Sequence, residues 1–262
     1  MSATPHGRLY LMPNTLDFGL ADNQPRLPLE ELLPIGVIRI ASTLTCWVCE
    51  NAKTTRALLK RVDALVPLAT PLQSLAIVEM PRPQKGGPAR AAISGERWNE
   101  LLAPALAGRD LGLLSEAGLP AVADPGAGLV QAAHDKGIEV VALPGASSLL
   151  LALAASGMQG QHFAFVGYLP VAATERTARI RELEAASRRA GQSQLMIETP
   201  YRNQALLAAL LAALQPTTRL AVSCGLSMPG GFSRSASVAT WRQRDWTLPA
   251  DMPAVFSLLA GS

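Results

Sequence analysis

Much is scarce in these 262 residues. Cysteine occurs three times, so no disulfide framework is expected and a reducing compartment, the cytoplasm, fits. Histidine also occurs three times, without ligand spacing, and no metal site is expected. Charged residues make up only 16% against 49% apolar, which excludes a solvated, disordered chain and points to globular units with real cores. The longest apolar runs, near Leu149–Ala155 and Ala205–Leu214, fall well short of the roughly 20 residues of a membrane helix, so they read as core helices and no membrane is expected. The N-terminal MSATPHGRLYLM lacks a basic segment followed by an apolar one, and no secretory leader is expected. Arg8–Met12 reads as the first strand, yet no Gly-x-Gly-x-x-Gly follows it and no Walker loop occurs. That excludes the dinucleotide fingerprint and the P-loop. No Ser/His/Asp set with recognisable spacing is present either.

What is present centres on Gly112–Gly157. Leu111–Leu114 is an apolar run that suits a buried strand end, and Glu116–Pro120 is a tight loop. Asp124-Pro125 reads as a helix start, with Asp as N-cap and Pro at the first helical position. Leu129, Val130 and Ala133 give that helix an apolar face, and Gly137 ends it. Ile138–Leu143 is a second strand, broken by Pro144-Gly145, and Ser147 stands as cap of a helix over Ser148–Ser156. The order strand, loop, helix, strand, loop, helix predicts parallel pairing. Both loops follow the C-terminal ends of strands, where open α/β sheets bind ligands. Both are built largely from small residues, which lets a ligand approach the backbone. Each motif alone is also ordinary helix-start chemistry; their occurrence on successive strands favours a ligand crevice.

Elsewhere, Leu44–Glu50 predicts a strand and Ala52–Leu65 a helix capped by Asn51, with Leu58, Leu59, Val62 and Leu65 facing in. Cys46 and Cys49 sit on that strand three residues apart, so they face opposite sides and suit burial better than redox or zinc chemistry. Pro81–Arg90 is a basic loop by composition, and Glu96–Ala107 a helix. A domain boundary is expected at Gly157–Gln161, giving an N-terminal domain over 1–157 and a C-terminal one over 158–262. In the latter, strands are predicted at His162–Val166, Gln194–Glu198, Arg219–Ser223, Ser235–Trp241 and Ala254–Leu259. Helices are predicted from a Thr174 cap through Arg189 and over Tyr201–Gln215. The fold class is therefore α/β in the first domain and α+β, with a mixed sheet, in the second.

Several of these motifs carry a resemblance. SEAGLPAVADPG (115–126), followed about twenty residues later by LPGASSL (143–149), resembles the paired motif of the tetrapyrrole-methylase superfamily. Within it the chain is most similar to the bacterial 16S rRNA ribose (cytidine-2′-O)-methyltransferases, as a divergent paralogue. FAFVGYLP (163–170) and IETPYR (197–202) extend the likeness. The resemblance implies a two-domain tetrapyrrole-methylase-like fold and S-adenosylmethionine held in a cleft between the domains. Ser115, Ala117, Gly118, Pro120, Ser147, Ser148 and Glu198 are the cofactor-binding residues so implied. A ribose hydroxyl needs a base or a strong orienting acceptor, and Glu50, with Lys53 nearby to steer phosphate, is the catalytic candidate. Lys85, Arg90, Arg176, Arg179 and Arg202 are the candidate contacts to ribosomal RNA or the small subunit. A homodimer is also implied.

The chain departs from that family where charge would meet substrate. The family's Arg-Glu-Leu-Thr is replaced by Cys224-Gly225-Leu226-Ser227, and Asn51 and Lys53 stand for aspartate and arginine. Two further readings remain open: methylation of a tetrapyrrole-like small molecule, and a catalytically silent protein that holds S-adenosylmethionine. The net charge of +3 is compatible with nucleic acid without requiring it.

Overall fold

Strands β1 (Leu9–Met12), β2 (Cys46–Cys49), β3 (Ala76–Glu79), β4 (Leu111–Leu114) and β5 (Val140–Ala142) form one sheet in the order β3-β2-β4-β1-β5. Every pairing in it is parallel. The computed structural model describes residues 5–17, 26–81 and 94–261. β2 and β4 are buried at all positions, as strands covered on both faces must be. Helices α1 (Leu29–Leu32), α2 (Ile35–Thr43) and α3 (Ala52–Leu65) cover one face, packing on Tyr10, Met12, Trp47 and Cys49. Helices α4 (Gly95–Leu106) and α5 (Ala127–Asp135) cover the other, on Leu9, Cys46, Val48, Leu111 and Leu113. Cys46 and Cys49 thus belong to opposite cores, and both are free and buried. In α3 the inward stripe is Thr55, Leu58, Leu59 and Val62, whereas Leu65 in the last turn is 42% exposed.

The chain leaves β1 through α2 on one face of this sheet and leaves β4 through α5 on the other. β1 and β4 are hydrogen-bonded neighbours, so their onward connections diverge between them. That is a topological switch point, where open α/β sheets place ligands.

A second compact unit begins at Ser147. Its elements are α6 (Ser148–Ser156), β6 (Phe163–Tyr168), α7 (Ala173–Ala190), β7 (Ser193–Glu198), a 3-10 turn Pro200–Arg202, α8 (Asn203–Ala213), β8 (Arg219–Cys224), β9 (Phe232–Ser237), α9 (Val238–Trp241) and β10 (Ala254–Leu259). The sheet runs β6-β7-β10-β8-β9, with only β6 and β7 parallel. Helices α7 to α9 share a core with Met196, Val222 and Phe256 on one face. On the other face α6 lays Leu149, Ala152 and Leu153 against Leu195 and Val255. The division therefore falls between Ala146 and Ser147, not at the expected 157/158, because α6 buries its apolar side on the second sheet. Two smaller expectations also change. α7 starts one residue before Thr174, without a side-chain cap. The strand expected over Ser235–Trp241 ends at Ser237, whose hydroxyl caps α9 by accepting from the Thr240 N–H.

Packing around Gly112 is tight enough to test. A Cβ there would lie 2.5 Å from Trp47 Cε3, on a ring that is 1% exposed. Gly112→Ala should lower stability by about 1–3 kcal/mol through overpacking. Gly36→Ala, where a Cβ meets nothing within 4 Å on a helix, should be neutral or stabilising. Denaturant midpoints of the two variants give the comparison.

Candidate active site

Three loops converge at the C-terminal ends of β1, β4 and β5. Asn14, only 4% exposed, joins the first two. Its Nδ2 donates to the carbonyls of Ser115 and Glu116 at 3.0 and 2.9 Å, and its backbone N–H donates to Gly118 O at 2.8 Å. Its Oδ1 accepts from the Thr15 N–H at 2.8 Å. The loop after β5 closes on the same place: a Cβ on Gly145 would lie 2.2 Å from Pro13 Cβ, so only glycine fits. Gly118 has φ +67°, and a Cβ there would lie 3.3 Å from Leu16 Cδ2 and 3.6 Å from Ala146 O. Asp17 extends the frame by accepting from Thr15 Oγ1 at 2.6 Å and pairing with Arg61 at 2.9 Å.

Glu50 and Asn51, at the end of β2, grip the β4 loop from the other side. Glu50 Oε2 accepts from the Glu116 N–H at 3.1 Å, and Asn51 Nδ2 donates to Glu116 Oε1 at 2.7 Å. Asn51 Oδ1 also caps α3, accepting from the N–H groups of Lys53 and Thr54. Ser115 is 1% exposed and its Oγ donates to Ala117 O at 3.0 Å, which shapes the loop from within. Beyond it, Ala121 and Ala123 have φ +66° and +65°. Left-handed backbone costs a non-glycine residue about 1–2 kcal/mol, so the rest of the fold holds this segment in place.

That segment presents Asp124. The expected N-cap role is not what the structure shows: α5 begins at Ala127, with Gly126 at the cap position and no side-chain cap bond. The left-handed Ala123 and the φ of +132° at Gly126 carry the Asp-Pro step clear of the helix start. Burial pushes the Asp124 carboxyl up to about 7, the charge of Glu50 and to a lesser degree Glu116 adds to the rise, and a hydrogen bond with Ser115 opposes it. A carboxylate held near neutrality is a competent acceptor of a hydroxyl proton.

The sequence-derived candidates therefore divide. Glu50, Ser115, Ala117, Gly118 and Pro120 share the strand ends of the first unit, while Lys53 is exposed on the first turn of α3. Ser147 and Ser148 belong to the second unit, where Ser147 holds the cap position of α6 without a side-chain cap bond. Glu198 is buried at the end of β7, accepts from Thr199 N–H, and pairs with Arg202 at 2.8 Å. Arg176 Nη1 donates to Val171 O, and Arg179 pairs with Glu182 on the surface of α7. Lys85 and Arg90 lie outside the described residues. Asn14 is absent from the sequence-derived candidates, and Asp124 is read there only as a helix cap. A Pro-Asn-Thr ending the first strand was the available sign for Asn14. Among the described residues, no group of three His, Cys, Asp or Glu is placed to hold a metal, and no helix is long and apolar enough to cross a membrane.

A parallel sheet with a small-residue, strained loop at its switch point, followed by a mixed-sheet unit, defines a two-unit α/β protein built to take a ligand at its strand ends. Residues 30–239 match the family of tetrapyrrole (corrin/porphyrin) methylases, and the chain belongs to it. A protein named ribosomal RNA small subunit methyltransferase I from Mesorhizobium japonicum is 38% identical over 49% of this chain and 42% of its own length. Its namesake from Streptococcus pyogenes is 40% identical over 45% of this chain and 40% of its own. The matches thus span about two-fifths of these relatives. In fold, the chain is similar to the crystal structure of uroporphyrin-III C-methyl transferase from Thermus thermophilus complexed with S-adenyl homocysteine. The TM-score is 0.51 at 20% identity, covering 97% of each chain.

The raised Asp124 sets a pH dependence of stability. A carboxyl whose folded pKa exceeds its unfolded one favours folding below about 3.8 and loses that contribution as pH rises through about 7. Denaturation midpoints should therefore fall between pH 5 and 8 in the native chain. Asp124→Asn should flatten that fall, and equal slopes for the two proteins would contradict the assignment.

Proposed function

We propose that the chain is an S-adenosylmethionine-dependent methyltransferase whose acceptor is a ribose 2′-hydroxyl of ribosomal RNA. The loop from Ser115 to Gly126 carries this reading. Its left-handed Gly118 and small neighbours keep side-chain bulk off the loop, which suits the bulky donor of the tetrapyrrole-methylase family. The names of the sequence relatives support RNA as the acceptor class. Bound there, S-adenosylmethionine supplies an activated methyl carbon on a sulfonium. The chain's own work is to hold the acceptor in line, keep water out and take one proton. Ala117, Gly118 and Pro120 form the cradle. Asp124 accepts the hydroxyl proton on its carboxylate, in place of Glu50, whose Oε2 is bonded to the Glu116 N–H. Glu50 instead adds, through its charge, to the basicity that burial gives Asp124. A homodimer in the cytoplasm completes the reading.

The test is methyl-label transfer to small-subunit RNA from cells lacking the protein. Transfer should rise with pH through about 7, as the Asp124 base deprotonates. Asp124→Asn should lower it by roughly 10²-fold or more. Glu50→Gln should move the profile to lower pH, since one of the charges that raises Asp124 is gone. Gly118→Trp should abolish the calorimetric heat of cofactor binding, with circular dichroism to check that the chain still folds with a side chain at this left-handed position. Cofactor binding with no labelled RNA would favour the silent binder, a reading that the uncharged Cys224–Ser227 turn supports.

A further inference from the structure

Two of the chain's three tyrosines stand exposed at one end of the second sheet. Tyr168 closes β6 and is 58% exposed; Tyr201, three residues past the end of β7, is 77% exposed. β6 and β7 are parallel neighbours, so both tyrosines stand at the same end of the sheet. Neither position is accidental in the backbone. The β6–β7 register shifts between Phe165 and Tyr168, and Gly167 takes φ +74°, an irregularity of the kind that re-aims a side chain at a sheet edge. Tyr201 rides on a turn tied at its base: the Glu198–Arg202 pair at 2.8 Å spans it, and Glu198 also accepts from the Thr199 N–H. Val171, 72% exposed, lies in the loop that follows Tyr168, and Arg176 Nη1 holds that loop by its carbonyl. Arg179 and Arg181 follow, exposed on α7.

We infer that this edge is a stacking platform for unpaired RNA bases, with Tyr168 and Tyr201 as the stacking faces and the arginines of α7 as phosphate contacts. The inference rests on the proposed RNA acceptor and narrows it to a single-stranded or loop segment. The chemistry favours bases over an apolar peptide. The surface offers two exposed aromatic rings with polar tips, and the helix that follows carries exposed arginines. Stacking on aromatic side chains is tolerant of sequence, because every base has a π-face. Holding the Tyr201 turn in one conformation also reduces the ordering cost that binding must offset.

The experiment uses the full chain and a fluorescent oligouridine of about 12 nucleotides, within the usual range of single-strand site sizes, beside a blunt RNA duplex. Tyr168→Ala and Tyr201→Ala should each weaken single-strand binding about tenfold, with the salt slope and duplex binding unchanged. Tyr→Phe at either position should bind as the parent does, since the ring and not the hydroxyl is used. Arg179→Gln should reduce the salt slope by about 0.7. Alanine variants that bind like the parent would overturn the platform, as would a parent that binds no single strand. A dimer of the parent that Tyr201→Ala dissociates would overturn it too, since a second copy would then cover this edge. Calorimetry with S-adenosylmethionine separates the two proposals. Tyrosine-dependent RNA binding without cofactor heat removes the methyltransferase and leaves the platform.

Discussion

The buried side chain of Asn14 is the contact on which the candidate site depends. β1 and β4 are adjacent, but their loops turn toward opposite faces, so nothing in the sheet itself keeps the two loops together. Asn14 does so by using both amide protons, its side-chain oxygen and its backbone N–H on that junction. A buried amide left without partners costs about 1–3 kcal/mol, so the arrangement is close to all-or-none. Asp17 and Arg61 brace the same loop from α3 by an ion pair whose members are 6% and 19% exposed. Breaking such a pair costs about 3–5 kcal/mol when one partner is left behind. With the loops fixed this firmly, the left-handed alanines at 121 and 123 can be sustained.

Regular elements were legible because their signals are local. Asn51 before Ala52, the apolar stripe of α3 apart from its last member Leu65, the strand at Ala254–Leu259 and the helix over Ser148–Ser156 match the sequence reading. The opposed faces of Cys46 and Cys49 follow from strand geometry alone. What escaped depends on tertiary context. Ser148–Ser156 reads equally well as the last helix of the first domain, and only its burial against Leu195 and Val255 assigns it to the second. Asp-Pro is a common helix opening, so nothing local announces that Ala123 turns left-handed and carries Asp124 away from α5. Its raised pKa comes first from burial and then from the charge of Glu50, which is 74 residues away in the chain and is brought close by the pairing of β2 and β4. Distances of that kind cannot be read from spacing.

The turn that replaces the family's charged residues in the second unit also has a physical logic. Gly225 takes φ +61° and its N–H donates to Pro253 O. A Cβ on Gly231 would meet the Gly225 carbonyl at 1.9 Å. The segment closes on itself, so a charged side chain at Gly225 would strain the backbone and strike Met252, which lies 2.6 Å from where its Cβ would be. Loss of charge there is built into the turn and is not a single reversible substitution. Any compensation must come from other parts of the unit.

Charge is distributed to fit that requirement. Glu50, Glu116 and Asp124 gather at the strand ends of the first unit, where burial and the charges of the two glutamates raise the affinity of Asp124 for a proton. Such a cluster repels a phosphate backbone and cannot supply affinity for a polyanion. The arginines are concentrated instead on α7, where five stand among three glutamates, one of which, Glu184, is buried against Gln215 and Thr218. Under the proposed function, proton acceptance near pH 7 needs a carboxylate raised by burial and like charge, whereas phosphate contact needs exposed cations, among which Arg179 also pairs with Glu182. Placing both in one loop would pair the carboxylates with the arginines, lower the Asp124 pKa and discharge the cations. The acid cluster and the arginine helix belong to different units, in a chain whose overall charge is only +3.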